Sequence, residues 1–192
     1  MTCVGLLGGT FNPPHNGHVR LAERAREHFD IDPLRVLVST SPPHKRVDVD
    51  ADVRVALARL AFRGDEVVRD ENPYSIDTVM GFGDDAVFLV GADQFAKFLT
   101  WREPDEILEH VRLGVATRPG YPRERLDGVL SELRRPERVE FFDMEPVPIS
   151  SSEVRERVAR GEPIDDLVPA AVAAEIERLG LYRRNPGYSK PA

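Results

Sequence analysis

Two histidines, His15 and His18, close the stretch Gly8-Gly9-Thr10-Phe11-Asn12-Pro13-Pro14-His15-Asn16-Gly17-His18. At that spacing on a helix both rings can point to the same side. The paired glycines ahead of them let the backbone approach a ligand with no Cβ in the way. A helix start also presents free N–H groups and a dipole that favour an anion. Two imidazoles converging on an anion site suit phosphates whose charge changes during a reaction. Other phosphate loops fit less well. No Gly-Lys-Ser/Thr follows, as the P-loop requires, and no third glycine completes the dinucleotide fingerprint. A zinc site built on His15 and His18 would need further ligands, and no Cys, Asp or Glu stands nearby.

A second group of donors lies far along the chain, in Ser150-Ser151-Ser152-Glu153-Val154-Arg155. Ser150 and Glu153 fit a capping box. A capped helix start still leaves N–H groups for phosphate, and Ser151, Ser152 and Arg155 add donors on that side. Between the two groups, Lys45 follows the stiff Pro42-Pro43 pair, which keeps its loop out of a helix. Asp93 can accept from ribose hydroxyls, and Trp101 offers a flat face to an aromatic base. Arg118 carries a fork suited to a phosphate.

The elements around these residues follow from hydrophobic period. Cys3 to Leu7 is a short apolar strand, and Val19 to Phe29 a helix with Ala22, Ala25 and Phe29 on one face. Arg35 to Ser39, after the Asp32-Pro33 break, is a second strand, completing a βαβ unit with parallel strands. Asp50 to Arg63 is a helix burying Val53, Leu57 and Leu60, with Arg54 and Arg59 read as solvated or paired. Glu66 to Arg69 is a short strand, and Ser75 caps a helix over 76–82. Ala86 to Val90 is apolar throughout, as a central parallel strand should be. Leu113 to Thr117 and Val139 to Phe142 are the later strands. Arg123 to Arg134 is a peripheral helix. A last helix begins at Pro169, buries Val172, Ile176 and Leu179, and ends at Gly180. Ligands in open α/β sheets gather outside the strand ends. There the turn after Leu7, Lys45, Asp93 and Arg118 would meet.

The 192 residues suit one domain with a sizeable core. The expected layout is a domain over 1–184, with a helical section over about 150–184 and a flexible tail over 185–192. A net charge of −7 argues against a general nucleic-acid binder. One cysteine, Cys3, excludes an intrachain disulfide and points to a reducing cytoplasm. No apolar run is long enough for a membrane span, and no signal-peptide pattern opens the chain. Oligomeric state is not readable, and a homo-oligomer stays open.

The motifs carry a resemblance. Gly9-Thr10-Phe11-Asn12-Pro13 with His15-Asn16-Gly17-His18 resembles the Gly-Thr-Phe-Asp-Pro…His-x-Gly-His segment of the nucleotidyltransferase superfamily, Asn12 replacing the commoner Asp. Tyr74-Ser75-Ile76-Asp77-Thr78 is similar to the Tyr-Thr-x-Asp-Thr segment of bacterial nicotinate-nucleotide adenylyltransferases. Gly91-Ala92-Asp93-Gln94 with Trp101 following, Pro42-Pro43-His44-Lys45, and Ile149 to Arg155 resemble further segments of that family, Ser152 standing for a threonine. The resemblance covers nearly the whole chain. It implies a Rossmann-like doubly wound parallel sheet with helices on both faces and a small C-terminal helical section. It also implies adenylyl transfer from ATP to nicotinate mononucleotide, giving deamido-NAD and pyrophosphate, with Mg2+ arriving on the ATP. His15, His18, Lys45 and Arg155 would then be catalytic. Gly8, Gly9, Thr10, Phe11, His15, His18, Asp93, Ser151, Ser152 and Arg155 would bind ATP, and Thr78, Trp101 and Arg118 the acceptor. No protein metal ligand is implied. Two departures bear on the acceptor: the connection from Thr78 to Ala86 is shorter than the family's, and Arg102 follows Trp101. Nicotinamide mononucleotide or phosphopantetheine as acceptor, or a nucleotide-binding module with little turnover, are the other readings.

Overall fold

Alternation along the strands builds two apolar faces, and the helices divide between them. The computed structural model describes residues 3–42, 47–83, 85–117 and 122–183. In chain order the elements are β1 (Cys3–Gly9), α1 (Asn16–Phe29), β2 (Ile31–Ser39), α2 (Ala51–Ala61), β3 (Glu66–Asp70), α3 (Ser75–Val79), β4 (Ala86–Gly91), α4 (Ala92–Phe95), α5 (Pro104–His110), β5 (Arg112–Thr117), α6 (Arg123–Glu132), β6 (Val139–Asp143), α7 (Ser151–Arg160) and α8 (Ala170–Leu179). The strands form one parallel sheet in the order β3-β2-β1-β4-β5-β6. This is a doubly wound, Rossmann-like sheet, and its direction of winding reverses between β1 and β4.

Leu7, Val36, Val38, Val87 and Leu89 pack on one face with Ala22, Ala25 and Phe29 of α1 and Val55 and Ala58 of α2. Leu6, Leu37, Phe88, Val90, Leu113 and Val115 point to the other face. There they meet Ile76 and Val79 of α3, Phe95 of α4, Ile107 and Leu108 of α5, and Leu126 and Val129 of α6. Strand period two therefore decides which helix each side chain reaches.

Four local expectations are corrected. β2 starts at Ile31, ahead of Pro33, and not after it. Cys3 pairs with Ile31 and Gly5 with Leu34, so β2 gains one residue there. A bulge accommodates a residue with no N–H for the ladder. The N-cap of α3 is Tyr74, with no side-chain cap bond, and Ser75 is its first residue. Leu179 is exposed, because Val172 and Ile176 already fill the buried stripe of α8. Arg54 is not solvated; it is buried in α2.

The C-terminal helices have their own apolar cluster, in which Leu57 of α2 packs with Val154 of α7, Ile164, Leu167, Val168, and Val172 and Ile176 of α8. Asn16 N–H, at the start of α1, also donates to Leu167 O at 2.9 Å. Gly180, at φ 62°, ends α8 in the left-handed region. Leu57 is fully buried at the centre of this junction. Leu57→Ala is expected to lower unfolding free energy by about 3 kcal/mol in urea denaturation. A loss below about 1 kcal/mol would mean that α7 and α8 do not close tightly over α2.

Candidate active site

A concavity lies at the strand ends where the winding reverses. Its volume is about 560 Å³, within the usual range for small-molecule sites. Gly8 and Gly9 at the end of β1 and Thr10 and Phe11 after it form its floor, with His15, Gly17 and His18 from the start of α1. Gly91 at the end of β4, with Ala92 and Asp93 of α4, forms a second wall, and Asp70, Asn72, Pro73, Ser75, Thr78 and Trp101 a third. Pro146 to Ile149 and Ser151 close it.

His15 is the N-cap of α1. The two imidazole centroids lie 3.7 Å apart, with their planes tilted by 30°. Gly17 permits this arrangement, because a Cβ there would lie 3.0 Å from His15 Nδ1. His18 Nδ1 accepts the His15 main-chain N–H at 3.2 Å, which leaves Nε2 as the protonated nitrogen of the neutral ring. Phe11 meets the His18 ring edge-on at 5.0 Å and rests on Phe62 behind it. His15 is buried, with Nδ1 unpartnered among the described residues. Burial lowers its pKa to about 4, so at neutral pH it is an uncharged hydrogen-bonding ring.

The turn between β1 and α1 is held from outside. Arg54 Nη1 donates to Thr10 O at 2.8 Å, Arg155 Nη1 to Asn12 O at 2.7 Å, and Ser151 Oγ to Pro13 O at 2.8 Å. Tyr182 Oη donates to Asn12 Oδ1 at 2.7 Å. Burial raises the Tyr182 pKa far above its ordinary value, with Arg155 and Arg54 pulling it down, so the phenol keeps its proton. Phe11, inside this grip, has φ 47°, a conformation unfavourable for a bulky residue that tends to mark functional sites.

Thr10, Phe11, His15, His18, Asp93, Ser151, Thr78 and Trp101 thus come together at one cavity with Gly8 and Gly9. Thr78 Oγ1 donates to Asp70 at 2.9 Å. Trp101 packs against Phe88 and Phe98, leaving it half-buried at the wall. Ser152 and Arg155 stand behind the turn, bonded to each other at 3.1 Å. Lys45 and Arg118 lie outside the described residues. Ser150 Oγ caps Glu153 N–H as expected, while the Glu153 carboxylate pairs with Arg157. Arg54 and the 146–149 wall were missed. The alternating Pro146 and Pro148, which hold a segment extended just before a capped helix, were the available signal for the wall.

The cytidylyltransferase-like family model matches residues 6–157. A probable nicotinate-nucleotide adenylyltransferase of Bordetella avium is 36% identical over 196 residues, covering 95% of this chain and 99% of the relative. One from Exiguobacterium sibiricum is 35% identical, covering 93% and 98%. The chain belongs to the nicotinate-nucleotide adenylyltransferase family. Among solved structures, the Plasmodium falciparum nicotinic acid mononucleotide adenylyltransferase complexed with NaAD aligns at TM-score 0.73, covering 95% of this chain and 98% of that one. At 14% identity it shows the shared fold. No described helix is long and apolar enough to cross a membrane.

The buried histidine makes stability depend on pH. Its folded pKa of about 4 lies below the ordinary 6.5, so the unfolded chain binds more protons between those values. The contribution is therefore complete above about pH 6.5 and is lost as pH falls through about 4. Its size is on the order of 3 kcal/mol. Urea midpoints for wild type and His15→Gln should diverge across this window, the variant having the flatter profile. Parallel profiles would mean that His15 titrates as an exposed ring.

Proposed function

We propose that this chain transfers the adenylyl group of ATP to the phosphate of nicotinate mononucleotide, forming deamido-NAD and releasing pyrophosphate. The observation that carries the reading is the joining of two distant turns at one cavity. The His15–His18 turn and the Ser151 helix start are bridged by the Ser151 Oγ bond to Pro13 O at 2.8 Å, and both line the strand-end cleft. Membership of the nicotinate-nucleotide adenylyltransferase family supports this choice of reaction.

The chemistry needs no protein nucleophile. An oxygen of the acceptor phosphate, already anionic at neutral pH, attacks the α-phosphorus of ATP in line. A new P–O bond forms, the bond from the α-phosphorus to the bridging oxygen breaks, and its electron pair leaves with pyrophosphate. The protein's task is then positioning and stabilisation of charge. In this reading the turn from Gly8 to Phe11 and the imidazoles of His15 and His18 hold phosphate oxygens by donated hydrogen bonds. Ser151 and Ser152 stand at the α7 start beside them, and Asp93 takes the ribose. Arg155 and Lys45 supply positive charge. Thr78, Trp101 and Arg118 serve the acceptor end. Magnesium neutralises charge on the triphosphate when bound. With Asp93 on the ribose, Asp70 is the other carboxylate among the described residues lining the cavity, and it accepts from Thr78. That donor set suits an ion carried by phosphate oxygens and water. A reducing cytoplasm fits Cys3, buried with its thiol donating to Phe29 O at 3.1 Å.

Pyrophosphate release with ATP and a panel of acceptors tests the reading. Release is expected with nicotinate mononucleotide. Release only with nicotinamide mononucleotide or phosphopantetheine would reassign the acceptor, and ATP binding without release would make the chain a binding module. His18→Ala should lower kcat by about 100-fold while KM for the acceptor moves less than threefold. Unchanged turnover would remove His18 from the chemistry.

A further inference from the structure

Arg54 is an arginine with 1% of its surface exposed, and its bonding partners are all main-chain carbonyls. Nε donates to Val49 O at 3.1 Å, Nη1 to Thr10 O at 2.8 Å and to Ser39 O at 2.6 Å, and Nη2 to Thr40 O at 3.1 Å. A neutral carbonyl satisfies a donor without cancelling its charge. Burial weighs most against its charge, while Asp50, at the head of the same helix, favours it through space and Arg69 opposes it. Joining α2 to the sheet does not require a cation, since the neighbouring Val55 and Ala58 do so by apolar contact. A buried guanidinium is generally less stabilising than an apolar side chain of similar volume, so its presence calls for another cause.

The bonds supply one. Ser39 ends β2, and Thr10 follows β1, so Arg54 ties together the ends of adjacent strands directly behind the cavity floor. The Thr10–Phe11 peptide is trans, so its C=O and N–H point in opposite directions. With the Thr10 carbonyl held on buried Arg54, the Phe11 N–H is turned the other way, towards the side on which Thr10 and Phe11 line the cavity. That N–H meets no acceptor among the described residues. Phe11 itself keeps its unfavourable φ of 47°, as a residue does when its surroundings over-determine it.

We propose that Arg54 is a positioning residue for the anion site, presenting the Phe11 N–H to a polyphosphate and placing behind that peptide a positive charge to which no carboxylate is bonded. The proposal rests on the reading of the cavity as a triphosphate site. Lysine at this position keeps the charge but cannot span four carbonyls from one nitrogen. In calorimetry with inorganic tripolyphosphate, Arg54→Lys should bind about tenfold more weakly than wild type. KM for ATP should rise by a similar factor, while KM for nicotinate mononucleotide changes less than twofold. A role in folding alone would lower the melting temperature and leave tripolyphosphate affinity unchanged, which would overturn the proposal. Failure of wild type to bind tripolyphosphate would instead remove the anion site, and the adenylyl-transfer reading with it. Should Arg54→Lys not fold, wild type decides: the Phe11 amide resonance should move downfield as tripolyphosphate is added. A stationary Phe11 amide at saturation would overturn the assignment.

Discussion

Among the described residues the turn from Thr10 to Pro13 has no ladder partner and no helical bond of its own, and the architecture of the cleft depends on how it is held. Three of its carbonyls and one side chain accept hydrogen bonds from Arg54, Arg155, Ser151 and Tyr182. Those donors come from α2, α7 and the segment after α8. Each is well separated in sequence from the turn, so the turn's shape is a tertiary property. Charge-assisted bonds from two guanidinium groups are stronger than neutral ones, which suits a segment containing a bulky residue at positive φ.

This grip explains why a sheet with an ordinary doubly wound order carries extra helices at its C-terminal end. Winding reversal between β1 and β4 leaves a cleft because the connections from these strands depart to opposite faces. A cleft made by β1 and β4 alone would be open on the side of α1. The segment 146–149 and the start of α7 close that side. They are anchored by the Leu57 cluster beneath and by the Asn16 bond to Leu167 O. Packing in the third apolar cluster therefore sets the position of Ser151 relative to His15 and His18.

What was legible in the sequence was local. The apolar run of β4, the amphipathic period of α1, the cap at Ser150 and the stop at Gly180 each depend on a few adjacent residues. The fold class follows from their alternation. The first turn and the α7 start were legible as anion sites, and motif resemblance placed them in one reaction. Arg54 was not legible, because a charged residue on a helix is normally solvated; only the convergence of carbonyls from Thr10, Ser39, Thr40 and Val49 makes burial tolerable. Leu179 misled for the opposite reason, since helical period puts it near the buried stripe while the cluster passes from Ile176 to Leu181 and Tyr182 without it. Pro33 resembled a break because the bulge that accommodates it requires the register of β1. The inward side of Pro146 to Ile149 was likewise invisible, as an extended proline-rich segment has no periodic face to read.

The charges around the cleft resolve an apparent conflict in a chain with net charge −7 that is read as binding a triphosphate. Attraction for the anion does not require a positive surface overall, because field in a cleft is set by nearby groups and by the low polarizability around them. Here His15 is kept neutral by burial, so it adds a directional hydrogen bond without a standing charge. Two guanidinium groups, Arg54 and Arg155, are bonded to the carbonyls of Thr10 and Asn12 in the turn. In the proposal above, positive charge reaches the cavity through the Thr10–Phe11 peptide alone, because the Asn12–Pro13 peptide carries no N–H. A site arranged this way needs little reorganisation as negative charge moves from the attacking oxygen to the departing pyrophosphate. Preorganised peptides also meet the demand of a reaction whose nucleophile is supplied by its own substrate.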